Sequence, residues 1–505
     1  MVDLSAVSRV VVVGGGTAGW LSALEMRHTF ATSVEVVLVE SEAIGILGAG
    51  EGTVPNILSA LQRYGIEQDK FMTATQATFK LGVEFEGWRE ARHIYHHLFS
   101  FHNESVDLAS WRTNGAYPFM SALVAAGVPL GEFPASAQWI RDQASQAEVK
   151  ERLGASELEG FAYHFDAPLV AKFLRAHAES QGVRRHNATV ADVELDSSGS
   201  LTAVLTDKGR IEGDFFVDAT GMARLILLKK LGIPWKSFSD YLILDSALPF
   251  LLPHNQPHPQ LVTRSVALDA GWMWVIPTGG RLGCGYVYSS KHVSREQALA
   301  EVSTYWGTDV EPINHIKFSP GRLEQCWFKN VMAVGLSSGF VEPLEATSIG
   351  QTIDQLMSFG DLMQEGQYRV TDHMRDVFNQ KVASYWDGIL DFLVLHYDTA
   401  RSDTQFWKDV QALPRPAQYI ELKRLFQTRL PREVDLLPYE LFGKHLFGLA
   451  SWVSVGAPMG IMPANTADKD LIGLSKEELD KLSRFVATVR PPAHEPSRKD
   501  LAPVA

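Results

Sequence analysis

Residues 9–20 read RVVVVGGGTAGW. Arg9 to Val13 form a short apolar strand, and the glycines behind it end that strand. Gly14, Gly16 and Gly19 have the spacing G-x-G-x-x-G, an apolar helix containing alanine follows to about Phe30, and a second strand, Val34 to Val39, ends on Glu40. Strand, glycine turn, helix, strand and terminal acid together make a dinucleotide-binding unit. Gly14 permits the tight turn, Gly16 lets the backbone approach a pyrophosphate, and Gly19 lets the helix pack on the strand. The free N–H groups at the helix start, around Thr17 and Ala18, face phosphate oxygens, and Glu40 accepts from ribose hydroxyls. This unit alone does not separate FAD from NAD.

The chain around it has 505 residues, room for one large or two ordinary domains. Apolar residues make up 46%, which suits a large core, yet no apolar run is long enough to span a membrane. Met1 to Arg9 has no secretory pattern, so a cytoplasmic protein is expected. Two cysteines, Cys284 and Cys326, exclude a disulfide scaffold and a cysteine-rich metal site. No metal is expected, and both thiols are expected free and buried. A net charge of −13 argues against nucleic acid and anionic membranes as partners. The Pro- and Ala-containing tail from Arg490 is expected to be disordered, most plainly over 491–505.

Two later strands turn the choice toward FAD. Gly213 to Gly221 reads GDFFVDATG, and Asn330 to Gly339 reads NVMAVGLSSG. Both resemble return strands of the FAD fold of flavin monooxygenases, in which small residues near Asp218 and Leu336 let the backbone approach the cofactor. Taken singly, each also reads as an ordinary core strand.

Three other stretches carry chemistry. Gly271 to Pro277 reads GWMWVIP, and Thr278-Gly279-Gly280-Arg281 turns it into a second strand, Leu282 to Ser289. Trp272 and Trp274 therefore share one face. By spacing alone they are an aromatic ladder in a core hairpin. Lys80 lies between apolar neighbours in Phe79-Lys80-Leu81-Gly82. A lysine is ordinarily solvated, but a buried one has a lowered pKa and becomes a nucleophile or a directed donor. Glu345 follows the strand at 331–336 in a turn, where a carboxylate favoured by a helix dipole is the simple reading.

With Trp272-Met273-Trp274-Val275-Ile276-Pro277 as its most specific mark, the chain resembles the flavin-dependent tryptophan halogenase family from Arg9 to about Pro463. Ala77 to Gly82, Ala162 to Ala167, Phe340 to Ser348, Asp391-Phe392, His396-Tyr397, Asp403-Thr404 and Phe406-Trp407 follow in the family's order. The resemblance implies an α/β FAD-binding dinucleotide fold, Rossmann-like and of the flavin monooxygenase type, with a mainly helical substrate-binding part. The FAD part would use 1–80 and 160–370, the substrate part 81–159 and 371–490. It implies that Trp272, Trp274, Ile276 and Pro277 wall off the flavin. Lys80 would capture hypohalous acid as a haloamine or by hydrogen bonding, and Glu345 would assist loss of the ring proton. The backbone N–H groups of Thr347 and Ser348 would hold the halide, bromide or chloride. Gly50 and Glu51, in Gly48-Ala49-Gly50-Glu51-Gly52-Thr53, would touch the cofactor. Reduced FAD would come from a separate NADH-dependent flavin reductase, because the chain has one dinucleotide fingerprint. A homodimer stays open.

The chain also departs from family members that act on free tryptophan. Their pattern F-x-x-P-x-x-S-x-G meets Ala346 in place of serine and Ser348 in place of glycine. Their His-x-Phe meets Phe101-His102-Asn103, a poor match. Leu446 to Pro463 lacks the Tyr-Tyr-Glu cluster that grips an amino acid, although Trp452 can stack on a ring. His102 and Trp452 are the substrate-contacting candidates. His396 and Tyr397 read as packed, hydrogen-bonded core residues. The expected substrate is a small indole, or a larger peptide-like or phenolic compound. An FAD-dependent aromatic hydroxylase and a non-catalytic flavin carrier remain the alternatives.

Overall fold

The computed structural model describes residues 2–45, 50–101, 117–154, 160–254, 256 and 258–489. A six-stranded sheet runs in the order 327–328, 331–333, 215–218, 9–13, 35–40, 184–187. Its strands pair in parallel except at the 327–328 edge. A parallel sheet needs cover on both faces, which is why Arg9–Val13 is apolar at successive positions. Val10 and Val12 pack with Trp20 and Leu24 of the first helix, Thr17–Thr29. Val11 and Val13 face the other way, toward Phe216, Ile226 and Leu227.

A seven-stranded sheet lies beside it in the order 316–317, 246–252, 282–288, 271–277, 262–268, 82–86, 94–98. Gly271–Pro277 and Leu282–Tyr288 form the expected hairpin, with Trp272 opposite Val287 and Trp274 opposite Gly285. Alternation holds along it. Trp272, Trp274 and Ile276 join the main core, while Met273 and Val275 pack with Ala298 and Val302 of the helix Arg295–Trp306. Strand Gly82–Glu86 pairs in parallel with Val262–Leu268. The chain from 82 to 98 is thus continuous with the sheet at 246–288, and the division expected at 80/81 passes between Lys80 and that sheet. One apolar cluster spans the strands and the helices beyond residue 371.

Two long helices, Thr347–Glu365 and Asp372–Tyr397, carry the chain across this core. A small third sheet joins Glu51–Gly52 and Thr78–Lys80 on either side of Ala162–Phe165. Cys284 and Cys326 are free and buried, as expected. No helix among the described residues is long and apolar enough to cross a membrane.

Gly285 exists to admit a ring: a Cβ there would fall 2.1 Å from the Trp274 indole. Gly285→Ala is expected to destabilise the protein by about 1–3 kcal/mol, the usual range for overpacking. It should also alter the near-ultraviolet circular dichroism as Trp274 is displaced. An unchanged spectrum and melting point would show that the indole has room to move.

Candidate active site

The strand ends at Val13, Asp218 and Ala333 lie side by side, and the loops after them are tightly packed. A Cβ on Gly14 (φ 121°) would fall 2.1 Å from the Ala219 carbonyl oxygen, and one on Gly19 1.9 Å from that of Gly14. Gly335 (φ 59°) brings the turn containing Leu336 against Ala18, 2.7 Å from a hypothetical Cβ. Gly16 is different, because a Cβ there would meet nothing within 4 Å. It precedes the first helix with no side-chain cap, so the N–H groups of the first turn point into free space. A crowded turn with one bare, open glycine fits a dinucleotide diphosphate.

Glu40 reaches over this turn, its Oε2 standing where a Cβ on Gly15 would be, and Arg185 Nε donates to its Oε1 at 2.5 Å. Thr17 Oγ1 donates to Glu51 Oε2 at 3.3 Å. Burial pushes the Glu51 carboxyl up to about 7, with the Thr17 bond opposing and the charge of Asp166 adding. Gly50 (φ 125°) packs close to Gly283, Ile276 and Thr278, so this segment abuts the end of the Trp-x-Trp strand. Asp218 is held by its own turn: it accepts from Thr220 N and Oγ1 and from the backbone N–H groups of Ile226 and Leu227. The Leu336 carbonyl accepts from Arg224 Nε at 3.4 Å. The sequence candidates for cofactor contact thus gather at one end of the parallel sheet, with Asp218 shaping the loop.

Lys80 closes its short strand with 1% exposure. Its Nζ donates to the Thr53 carbonyl at 2.9 Å and lies 5.3 Å from the centre of the Phe99 ring. Burial brings the amine down to about 8, against the pull of the Glu345 charge. His164, opposite Thr78, bonds through Nε2 to Thr263 Oγ1 at 2.9 Å. Burial, and then the Lys80 charge, hold this imidazole well below its ordinary pKa.

Glu345 is 2% exposed. It and Ala346 adopt left-handed conformations (φ 63° and 56°), so the carboxylate turns into the core instead of toward the helix that follows. Such residues cost about 1–3 kcal/mol each and need support from their surroundings. Here the support is two histidines, with His97 Nδ1 2.7 Å and His396 Nε2 3.0 Å from Glu345 Oε1. Burial raises the Glu345 pKa, but the charge of His97 and the bonds of both rings outweigh it and bring the group down to about 2.

These contacts bear on two sequence readings. A second His-x-Phe stretch stands at His97-Leu98-Phe99: His97 holds Glu345, and Phe99 lies beside Lys80. His102 falls outside the described residues. The available signal was strand alternation. His96 points the other way, between Glu84 (3.2 Å) and Glu132 (3.3 Å), and only His97 faces inward. His396, read as a packed, hydrogen-bonded core residue, is buried and has Glu345 as its partner. Its neighbour Tyr397 donates to Glu342 Oε1 at 2.7 Å, and burial lifts Glu342 to about 8.

The helix Thr347–Glu365 begins without a side-chain cap, and Thr347 Oγ1 is buried with no partner. The Thr347 and Ser348 N–H groups are thereby available to an anion. Trp272 and Trp274 stand edge to face, 6.3 Å between ring centres. Trp272 adjoins Trp88 at 6.2 Å, which in turn adjoins His396 at 6.1 Å. The strand therefore runs from the Gly50 segment at Ile276 to the surroundings of Glu345. Trp452 is buried, stacked on Tyr439 at 6.2 Å and edge-on to Phe392, so one of its faces is already covered.

Among known proteins, the sequence profile of the tryptophan halogenase family matches residues 9–470. The 7-chloro-L-tryptophan 6-halogenase KtzR of Kutzneria sp. (strain 744) is 36% identical, over 85% of this chain and 87% of that protein. The tryptophan 7-halogenase RebH of Lentzea aerocolonigenes is 33% identical, over 80% and 78%. A flavin-dependent halogenase of Xanthomonas campestris, Xcc4156, superposes with a TM-score of 0.81 at 31% identity, covering 96% of this chain and 95% of its own.

Burying the Lys80 ammonium costs stability. With its pKa lowered from 10.5 to about 8, the folded chain binds this proton more weakly than the unfolded chain. Stability then rises with pH between those two values. Lys80→Met is expected to stabilise the protein at neutral pH by about 1–3 kcal/mol, since one pKa unit corresponds to about 1.4 kcal/mol and the Thr53 bond is lost. Thermal melts should show this gain shrinking as the pH rises past about 8. A lower melting point for Lys80→Met at every pH would contradict it.

Proposed function

The chain belongs to the tryptophan halogenase family, and on that footing we propose that it places bromine or chlorine on an electron-rich, indole-type ring, with Lys80 and Glu345 acting at the reacting carbon. It is a flavin-dependent halogenase. The observation that carries the proposal is the pairing of a buried lysine with an ionised carboxylate, set apart from the open glycine turn and joined to it by the Trp-x-Trp strand.

Bound reduced FAD, with dioxygen and a halide, supplies hypohalous acid. Gly14, Gly16, Thr17, Ala18, Gly19, Glu40, Gly50, Glu51 and Leu336 would hold the cofactor, and a separate NADH-dependent reductase would deliver it reduced. The N–H groups of Thr347 and Ser348 would hold the halide. Trp272 and Trp274, both buried, keep the organic substrate from the flavin and exclude water. Below about pH 8 Lys80 is an ammonium, directed by Thr53, that hydrogen-bonds the oxygen of the acid and polarises the oxygen–halogen bond. Above it, the free amine can carry the halogen as a haloamine. The oxygen leaves as water, taking a proton from the Lys80 ammonium or, where the haloamine forms, from the amine. The halogen adds to the ring as its bond to oxygen or nitrogen breaks, the Glu345 carboxylate stabilises the resulting cation and takes the ring proton as the electron pair returns to the ring, and that proton then goes to the Lys80 nitrogen.

Because Leu446 to Pro463 lacks the Tyr-Tyr-Glu cluster, a small indole, or a larger peptide-like or phenolic compound, is at least as good a candidate substrate as free tryptophan. Incubation with reductase, NADH, FAD, oxygen, halide and an indole panel, read by mass spectrometry, tests this. Lys80→Ala should abolish halogenation while flavin reoxidation continues at a near-normal rate. Glu345→Gln should slow turnover by about 10²–10⁴-fold, the range for a positioned acid or base. Near wild-type halogenation by Lys80→Ala would overturn the relay, and hydroxylated product would favour a hydroxylase. With Ala346 and Ser348 in the halide turn, bromide should be used at least as well as chloride. An excess of chlorinated product at equal halide concentrations would refute that.

A further inference from the structure

His396 lies on the helix Asp372–Tyr397, one turn after Phe392. Its Nδ1 is 2.9 Å from the Phe392 carbonyl oxygen, and its Nε2 is 3.0 Å from Glu345 Oε1. A carbonyl oxygen can only accept, so Nδ1 carries a proton. Nε2 then has two choices. It carries a second proton and donates to an ionised Glu345, or it is bare and accepts from a protonated Glu345. Two lone pairs facing each other in a dry core are not a third choice. The pair thus shares one proton beyond the one on Nδ1.

The surroundings decide where that proton resides. Glu345 Oε1 also accepts from His97 Nδ1 at 2.7 Å, and a carboxylate oxygen takes two donors far better than the hydroxyl of an acid does. Lys80, from the neighbouring strand, adds positive charge, and Glu345 in turn raises its pKa. Tyr95, on the same strand as His97, is kept a neutral phenol by burial and by the Glu345 charge. The remaining neighbours of the His396 ring are Phe85, Trp88 and Phe392, which hold no charge. Glu342, whose partner Tyr397 is the next residue, is a protonated acid at neutral pH because of its burial. Among the described residues, no negative charge other than Glu345 meets the ring. Both histidines meet Oε1, and no hydrogen bond among the described residues occupies Oε2.

Building on the halogenase reading above, we propose that His396 is a positioning residue: a buried imidazolium that keeps Glu345 ionised, fixes its Oε1, and leaves Oε2 to take the ring proton. When the substrate C–H proton moves to Oε2 and its electron pair returns to the ring, His396 is left as a cation without a counter-charge among aromatic side chains. That charge drives the new proton off Glu345 to the Lys80 amine, which gave its own proton to the departing oxygen, and restores the carboxylate for the next turnover.

The test is ring-nitrogen NMR of the full chain labelled with isotopic histidine, with and without FAD, the His396 signal being assigned by its loss in His396→Gln. Both ring nitrogens of His396 should be protonated in the wild type at pH 7, and in Glu345→Gln Nε2 should lose its proton. A bare Nε2 in the wild type at pH 7, or an unaltered signal in Glu345→Gln, overturns the proposal. Kinetics give a second arm, because glutamine at 396 can donate to Glu345 but carries no charge. His396→Gln should move the acidic limb of the kcat profile up by about one pH unit or more, with kcat on the alkaline side within about fivefold of wild type. A uniform loss at all pH values would mark His396 as merely structural and overturn the proposal. An imidazolium signal without halogenated product from any indole would leave this pair standing and remove the indole-type substrate reading instead.

Discussion

A carboxylate cannot lie in an apolar core without donors, and much of this architecture supplies them to Glu345. The turn before the helix Thr347–Glu365 holds two successive left-handed residues, which point the side chain inward. The strand Ile94–Leu98 brings His97 from one side, and the long helix Asp372–Tyr397 brings His396 from the other. These elements come from three separate stretches of chain. Each is fixed by its own packing, so the strain of the turn is held by the whole core rather than by local sequence.

The same core drives neighbouring groups of one chemical type to opposite charge states. Glu342 and Glu345 are three residues apart, yet burial lifts the first to about 8, while histidines bring the second to about 2. Lys80 and His164 lie close together, and burial disfavours the charge of both. Lys80 remains mostly an ammonium at neutral pH, whereas His164 stays an uncharged ring between Thr78 and Thr263. Divergent pKa values among adjacent groups are how one site offers both a base and an acid at neutral pH.

The cofactor end and the reacting end are mechanically joined. Glu51–Gly52 and Thr78–Lys80 pair with the same strand, Ala162–Phe165. Lys80 Nζ binds the carbonyl of Thr53, the next residue along, and a Cβ on Gly52 would stand 3.2 Å from that Nζ. Gly50 meanwhile packs on Ile276 of the Trp-x-Trp strand. A displacement at the Gly50–Thr53 segment therefore reaches both the lysine and the indole wall through short, rigid contacts.

The sequence by itself determined the dinucleotide unit and the hairpin bearing Trp272 and Trp274, because these follow from local patterns. Glycine spacing, strand alternation and apolar neighbours act over a few residues, and the physics that reads them is equally short in range. The same holds for the family, whose motifs are contiguous. What the sequence did not show was who holds Glu345. Nothing in the sequence singled out His97, and His396 read as a packed, hydrogen-bonded core residue without a named partner. Only the tertiary structure could choose between His96 and His97, since that depends on which face of the strand Ile94–Leu98 meets the core. It alone could bring positions 97, 345 and 396 onto one oxygen atom. Asp218 shows the converse: its place at a strand end reads as cofactor contact, but the fold commits both its oxygens to the loop that follows. Hydrogen bonds between residues distant in sequence leave no periodic trace in the chain, so partners of this kind emerge only once the fold is closed.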